Sequence, residues 1–154
     1  VVSCSDSRVP AELVFDQGLG DIFSIRTAGN VIGDYELGSI EYAVEHLDCK
    51  LIVIMGHKDC GAIKAFISSK GHYDHPDHIK NIINYIEREN EEKSLKVTHN
   101  LTVDKAIDAN IAHGVTFLKT AEPILKERFD HNKIAIIGAL YDIESGKVNF
   151  EKIK

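Results

Sequence analysis

Residues 51–55, Leu-Ile-Val-Ile-Met, form an unbroken apolar run that stops at Gly56 and meets a histidine at position 57. A strand with one wet face alternates apolar and polar residues, so an unbroken run requires cover on both faces, as in a parallel sheet. Ile134-Ala135-Ile136-Ile137 is a second run of this kind. Between the runs the apolar spacing is helical. Asp34 is placed to cap a helix with Leu37, Ile40, Val44 and Leu47 on one face, ending near Asp48. Cys60 to about Ser69 continues as a helix, Ile79, Ile82, Ile83 and Ile86 mark another, and Val103, Ile107, Ile111, Val115 and Leu118 mark a long one. Thr102 or Asn100 is its expected cap, and Pro123 interrupts it near its end. The chain is therefore expected to be α/β, with a mostly parallel central sheet of four to five strands and helices on both faces.

The shorter elements follow from the punctuation. Val1-Val2-Ser3 reads as the last piece of a strand, Pro10 to Phe15 as a helical turn, and Ile22 to Ile25 as a strand running into Arg26-Thr27-Ala28-Gly29-Asn30. Gly138 to Ile143, a turn at Glu144-Ser145-Gly146, and Val148 to Phe150 read as a closing hairpin.

Ligands of open α/β sheets bind beyond the carboxyl ends of strands, and two chemically loaded segments fall at such ends. One is Cys4-Ser5-Asp6-Ser7-Arg8; the other is His57-Lys58-Asp59-Cys60-Gly61. Zinc prefers thiolate and imidazole donors, and a catalytic site keeps three protein ligands so that a fourth position stays open. Cys4, His57 and Cys60 supply three. If the first segment is extended, Cys4, Asp6 and Arg8 share one face; if the second lies on a first helical turn, His57 and Cys60 share a side. Singly, each residue reads as structural; together they read as a metal site.

These residues resemble the β class of carbonic anhydrases, in which a Cys-x-Asp-x-Arg segment and a His-x-x-Cys segment supply the zinc ligands. The similarity extends through Gly20-Asp21-Ile22-Phe23, Arg26 to Asn30, Gly38-Ser39-Ile40-Glu41-Tyr42-Ala43, Tyr141-Asp142-Ile143 and Ser145-Gly146, essentially the whole chain. The resemblance implies a single zinc domain over residues 1–154, lacking the N-terminal helical arm that family members carry. It implies one zinc per chain on Cys4, His57 and Cys60, with Asp6 able to take the fourth place, and a homodimer or tetramer. The implied activity is zinc-dependent reversible hydration of carbon dioxide to bicarbonate and a proton, by attack of metal-bound hydroxide. Asp6 and Arg8 take the catalytic roles: Arg8 pairs with Asp6 and holds it off the metal, since a guanidinium fork matches a carboxylate bidentately. Gly61 is assigned to substrate binding through its backbone amide.

Two thiolates donate more than imidazoles, so the coordinated water should be less acidic than the value of about 7 that belongs to the three-histidine carbonic anhydrases. Turnover should then rise with pH. A subset of the family also has a non-catalytic bicarbonate pocket. Arg26 matches its arginine, but Val1 stands in its tryptophan's place and the chain has no tryptophan, so that pocket is expected to be absent.

Hydrolysis of a related heterocumulene such as carbon disulfide uses the same chemistry, and a zinc-stabilised assembly module would leave Asp6 and Arg8 without a purpose. His72, His75 and His78 could suggest a second metal, but the intervening Pro76 points to a surface segment. His46, His99, His113 and His131 are scattered and read as surface or packing residues. A net charge of −6 lacks the clustered basic surface that nucleic acid demands. No apolar run reaches the length of a membrane span. Three cysteines at scattered spacings, with Cys49 read as a small buried hydrophobe, fit a reducing compartment, and the cytoplasm is the expected location.

Overall fold

The computed structural model describes residues 1–69, 77–88 and 102–151. Five strands form one sheet in the order β2-β1-β3-β4-β5. These are β1 (Val2–Cys4), β2 (Ile25–Thr27), β3 (Leu51–His57), β4 (Ala135–Asp142) and β5 (Lys147–Phe150). All neighbours are parallel except β4 and β5, which form the expected hairpin. The run at 51–55 is the centre of this sheet. Ile52, Val53, Ile54 and Met55 are buried between β1 and β4, as a two-faced strand requires.

The helices are α1 (Ala11–Val14), α2 (Asp34–His46), α3 (Gly61–Ser69), α4 (Ile79–Arg88), α5 (Val103–Thr120) and α6 (Ile124–Asp130), with a 3-10 turn at Ala28–Asn30. The two faces of the sheet are covered unequally. Ile52, Ile54 and Ile136 pack with Ile40 and Val44 of α2, Val115 and Leu118 of α5 and Leu125 of α6. On the opposite face Val53, Met55 and Ala139 meet Val9, Ala11, Phe15 and Ile22, so among the described residues the helical cover in this cluster is the single turn of α1.

Helix α5 sets the site end of the sheet by close approach. A Cβ on Gly56 would lie 2.7 Å from the Ile111 side chain, so the helix sits directly on the backbone just before His57. Ile107 and Ile111 are almost fully buried, and truncating a side chain of this kind costs about 2–5 kcal/mol.

Several boundaries differ from expectation. The second strand is Ile25–Thr27 rather than Ile22–Ile25: parallel pairing of Val2 with Ile25 fixes it, and Ile22 turns to the apolar cluster beneath the sheet. Gly33, not Asp34, stands at the cap of α2, and its N–H donates to the Glu36 carboxylate at 2.9 Å. Pro10 precedes α1 in extended conformation instead of opening it. Residues 135–142 are one strand, not a strand followed by a separate hairpin arm. Thr102 caps α5 by accepting the Lys105 N–H, and α5 ends at Thr120, with Pro123 preceding a separate α6. His72, His75, His99 and the alternative cap Asn100 lie outside the described residues.

Candidate metal centre

Parallel pairing of Ser3 with Met55 carries β1 and β3 to the same edge of the sheet, where Cys4 closes one strand and His57 the other. Cys60 follows in the turn that enters α3. The candidate ligand atoms of Cys4, His57 and Cys60 all lie within 4.8 Å of one another, and all three residues are buried. No other group of His, Cys, Asp or Glu among the described residues converges in this way.

The turn differs from expectation. His57 is the last residue of β3, not a helical residue, and the side chains are brought together by a reversal at Asp59, whose φ is +64°. Cys60 then sits at the mouth of α3, immediately before its first residue Gly61. A helix N-terminus favours negative charge at this position.

His57 is fully buried. Its Nδ1 lies 2.8 Å from the Lys58 carbonyl oxygen; a carbonyl can only accept, so Nδ1 carries the proton and Nε2 presents its lone pair. That Nε2 is buried without a hydrogen-bond partner, a status shared among the described residues only by Ser3 Oγ. An orphaned imidazole nitrogen facing two sulfurs fits a metal, and its other ring nitrogen is already oriented as metal-ligating histidines require.

The sulfurs are electrostatically coupled. Cys4 is pushed down to about 3, chiefly by the hydrogen bond from the Cys60 thiol, against burial and with help from His57 and the backbone of Asp6 and Gly29. Cys60 is pushed up by that same bond and by burial. Burial alone would discharge His57, but the contact with the Cys4 sulfur outweighs it and raises the imidazole. A metal binding here displaces the remaining protons.

Asp6 and Arg8 meet, but not by strand alternation. The strand ends at Cys4, and the chain turns so that Val9 N–H bonds the Asp6 carbonyl. Asp6 Oδ1 accepts Arg8 N at 2.9 Å and Nε at 3.0 Å, while Oδ2 accepts Nη2 at 2.7 Å. This fork holds the Asp6 carboxyl well below the usual carboxylate range. Asp6 thus stands outside the trio, bound to Arg8. Arg8 also reaches Asp59 at 3.7 Å, and Asp59 pairs with Lys64, so the two loops are tied across the mouth of the site. Gly61 opens α3 at the exposed edge.

Three features were not anticipated. Arg26 donates from Nε to the Cys4 carbonyl (3.1 Å) and from Nη2 to the Asp6 carbonyl (2.6 Å), bracing the first loop. Gly29 N–H points at Cys4 Sγ at 3.4 Å. Lys58 Nζ pairs with Asp142 Oδ2 at 3.0 Å, tying the second loop to β4. A polar residue interrupting an apolar stripe, Asn110 between Ile107 and Ile111, was the available signal for what holds Gly29.

The carbonic anhydrase family model matches residues 1–148. Carbonic anhydrase 2 of Mycobacterium tuberculosis is 37% identical over 149 residues, covering 96% of this chain and 70% of that protein. The solved β-carbonic anhydrase CcaA superposes with a TM-score of 0.84 at 27% identity, over 98% of this chain and 77% of its own. The Coccomyxa β-carbonic anhydrase superposes with a TM-score of 0.81 at 27% identity, over 97% and 69% of the two chains. Matching sequence, matching fold, and two sulfurs and an imidazole converging where that family uses zinc lead to one conclusion: this chain belongs to the β-class carbonic anhydrases.

Proposed function

We propose that Cys4, His57 and Cys60 hold one zinc ion per chain and that Asp6, steadied by Arg8, works beside it in the reversible hydration of carbon dioxide, the reaction of the family. The observation that carries the site assignment is the buried, unpartnered Nε2 of His57 facing two buried cysteines. Bound zinc supplies a Lewis acid that makes water a nucleophile near neutral pH.

The chain's residues do the rest. Asp6 is an acceptor only, because Arg8 keeps it ionised, and it orients the attacking oxygen by accepting its proton in a hydrogen bond. Arg8 occupies both Asp6 oxygens and so restrains the carboxylate from the fourth ligand position; releasing it would let Asp6 close the site. Gly61 is placed on the first turn of α3, where N–H groups lack helical partners, and offers its amide to a substrate oxygen. Carbon dioxide and water give bicarbonate, and the proton leaves to buffer.

The same reading extends to assembly and location. The family resemblance implies a homodimer or tetramer, whose interfaces could cover exposed apolar residues such as Leu13, Leu19 and Tyr35. Free cysteines support a reducing, cytoplasmic setting. Among the described residues no helix is long and apolar enough to cross a membrane.

Stopped-flow hydration of carbon dioxide across pH, with zinc measured on the same sample, tests the function. About one zinc per chain with turnover rising with pH is expected. Zinc without turnover contradicts it. Light scattering at several concentrations tests the assembly, and a monomer throughout contradicts that part.

A further inference from the structure

Asn110 lies on α5 among Ile107, Ile111 and Gly114, all buried, and is itself only 3% exposed. An amide in such surroundings costs stability unless it is hydrogen-bonded. Its Nδ2 donates to the Gly29 carbonyl at 2.9 Å, a bond joining residues 81 positions apart. Gly29 is itself tightly constrained. Its φ is +71°, and a Cβ there would stand 2.9 Å from the Cβ of Ala62. On the other side of the same residue the N–H points at Cys4 Sγ.

The two sulfurs are therefore served differently. Cys60 stands directly before the nine-residue helix α3, whose first turn fixes the backbone beside its sulfur. Cys4 takes its amide from a three-residue 3-10 turn, and a turn that short has no such scaffold of its own. Asn110 supplies one. An N–H donor on a thiolate draws charge from the sulfur, makes it a weaker donor, and leaves the bound metal a stronger Lewis acid.

We propose that Asn110 is a positioning residue for the metal centre: through Gly29 it holds a backbone amide on the Cys4 sulfur and so sets how much charge that sulfur gives the metal. This rests on the zinc assignment above and adds a residue that touches neither metal nor substrate.

Cobalt(II) loaded in place of zinc reports on the sulfurs directly, through the thiolate-to-cobalt charge-transfer band. Asn110→Leu removes the donor at nearly constant shape. The expected result is a band moved to longer wavelength and a loss of zinc affinity on the order of tenfold, the lower end for outer-shell partners. Val115→Ala, a packing loss elsewhere on the same helix, should leave band and affinity unchanged. A wild-type band and affinity in Asn110→Leu at full cobalt uptake overturns the proposal. A wild-type protein that takes up no cobalt instead sinks the metal assignment itself. Should Asn110→Leu fail to fold, the wild-type protein loaded with cadmium-113 decides by nuclear magnetic resonance. Couplings across hydrogen bonds are expected from cadmium to the Gly29 amide and from the Asn110 side-chain nitrogen to the Gly29 carbonyl. Absence of either overturns the proposal.

Discussion

The two loops that meet at the metal centre are built on opposite plans. The loop from β3 is fixed close to where it leaves the strand and enters α3: His57 is fully buried with Nδ1 on the Lys58 carbonyl, Lys58 pairs with Asp142 of β4, and Cys60 stands directly before α3. The loop from β1 is braced by groups reaching in from distant parts of the chain, the Arg26 side chain onto its carbonyls and the Gly29 amide, backed by Asn110, onto Cys4. Beyond Cys4 it becomes exposed, with 22% of the Asp6 side chain and 50% of that of Arg8 open to solvent. One loop is an anchor. The other carries a carboxylate that can be let go. The function proposed above, gripping an ion while regulating an open corner, would use both kinds.

The largest effect expected from breaking this contrast comes from the anchor. Cys60→Ser should abolish stoichiometric zinc binding and lower turnover by more than the 10–100-fold typical of outer-shell changes; zinc retained at one per chain would contradict the ligand assignment. Next is the carboxylate. Asp6→Asn should keep zinc and reduce hydration by on the order of a hundredfold, within the usual range for a positioned acid–base group. Loss of zinc would mean that Asp6 is an obligatory ligand.

A smaller effect is expected at the brace. Gly29→Ala puts a Cβ into the space of Ala62 on a left-handed residue and should destabilise the fold by about 1–3 kcal/mol, read from the denaturant midpoint. An unchanged midpoint would show that the turn relaxes freely. The smallest concerns protonation. Asp6 has a depressed pKa in the folded protein, so its contribution to stability is present above the ordinary carboxylate value and is lost only as pH falls through the lowered one. Its side-chain carbon resonance should therefore stay flat from about pH 5 to 9. A midpoint inside that window would show that the Arg8 fork opens during turnover conditions.

Much of this was legible in the chain. The apolar runs at 51–55 and 134–137 announced buried parallel strands, and residue type announced the three candidate ligands that the fold brings together. What was not legible was the path between them. Alternation along an extended segment was expected to align Asp6 with Arg8, whereas β1 stops at Cys4 and a turn brings them together. A helical turn was expected to align His57 with Cys60, whereas a left-handed Asp59 does so. Both outcomes bring the expected residues together by local geometry that residue spacing does not distinguish. The bracing contacts of Arg26 and Asn110 went unforeseen for another reason. Their partners lie about 20 and 81 residues away, and such contacts follow from how helix and sheet pack, not from any window of sequence. The edge strand was misplaced by three residues because its register is set by the partner strand and not by its own apolarity.

X-ray absorption at the zinc edge of the loaded protein tests the central claim most directly. Cys4, His57 and Cys60 as ligands predict two sulfurs at about 2.3 Å and one nitrogen at about 2.0–2.1 Å, with a light atom completing the shell. A shell of nitrogen and oxygen alone, or of four sulfurs, would contradict it.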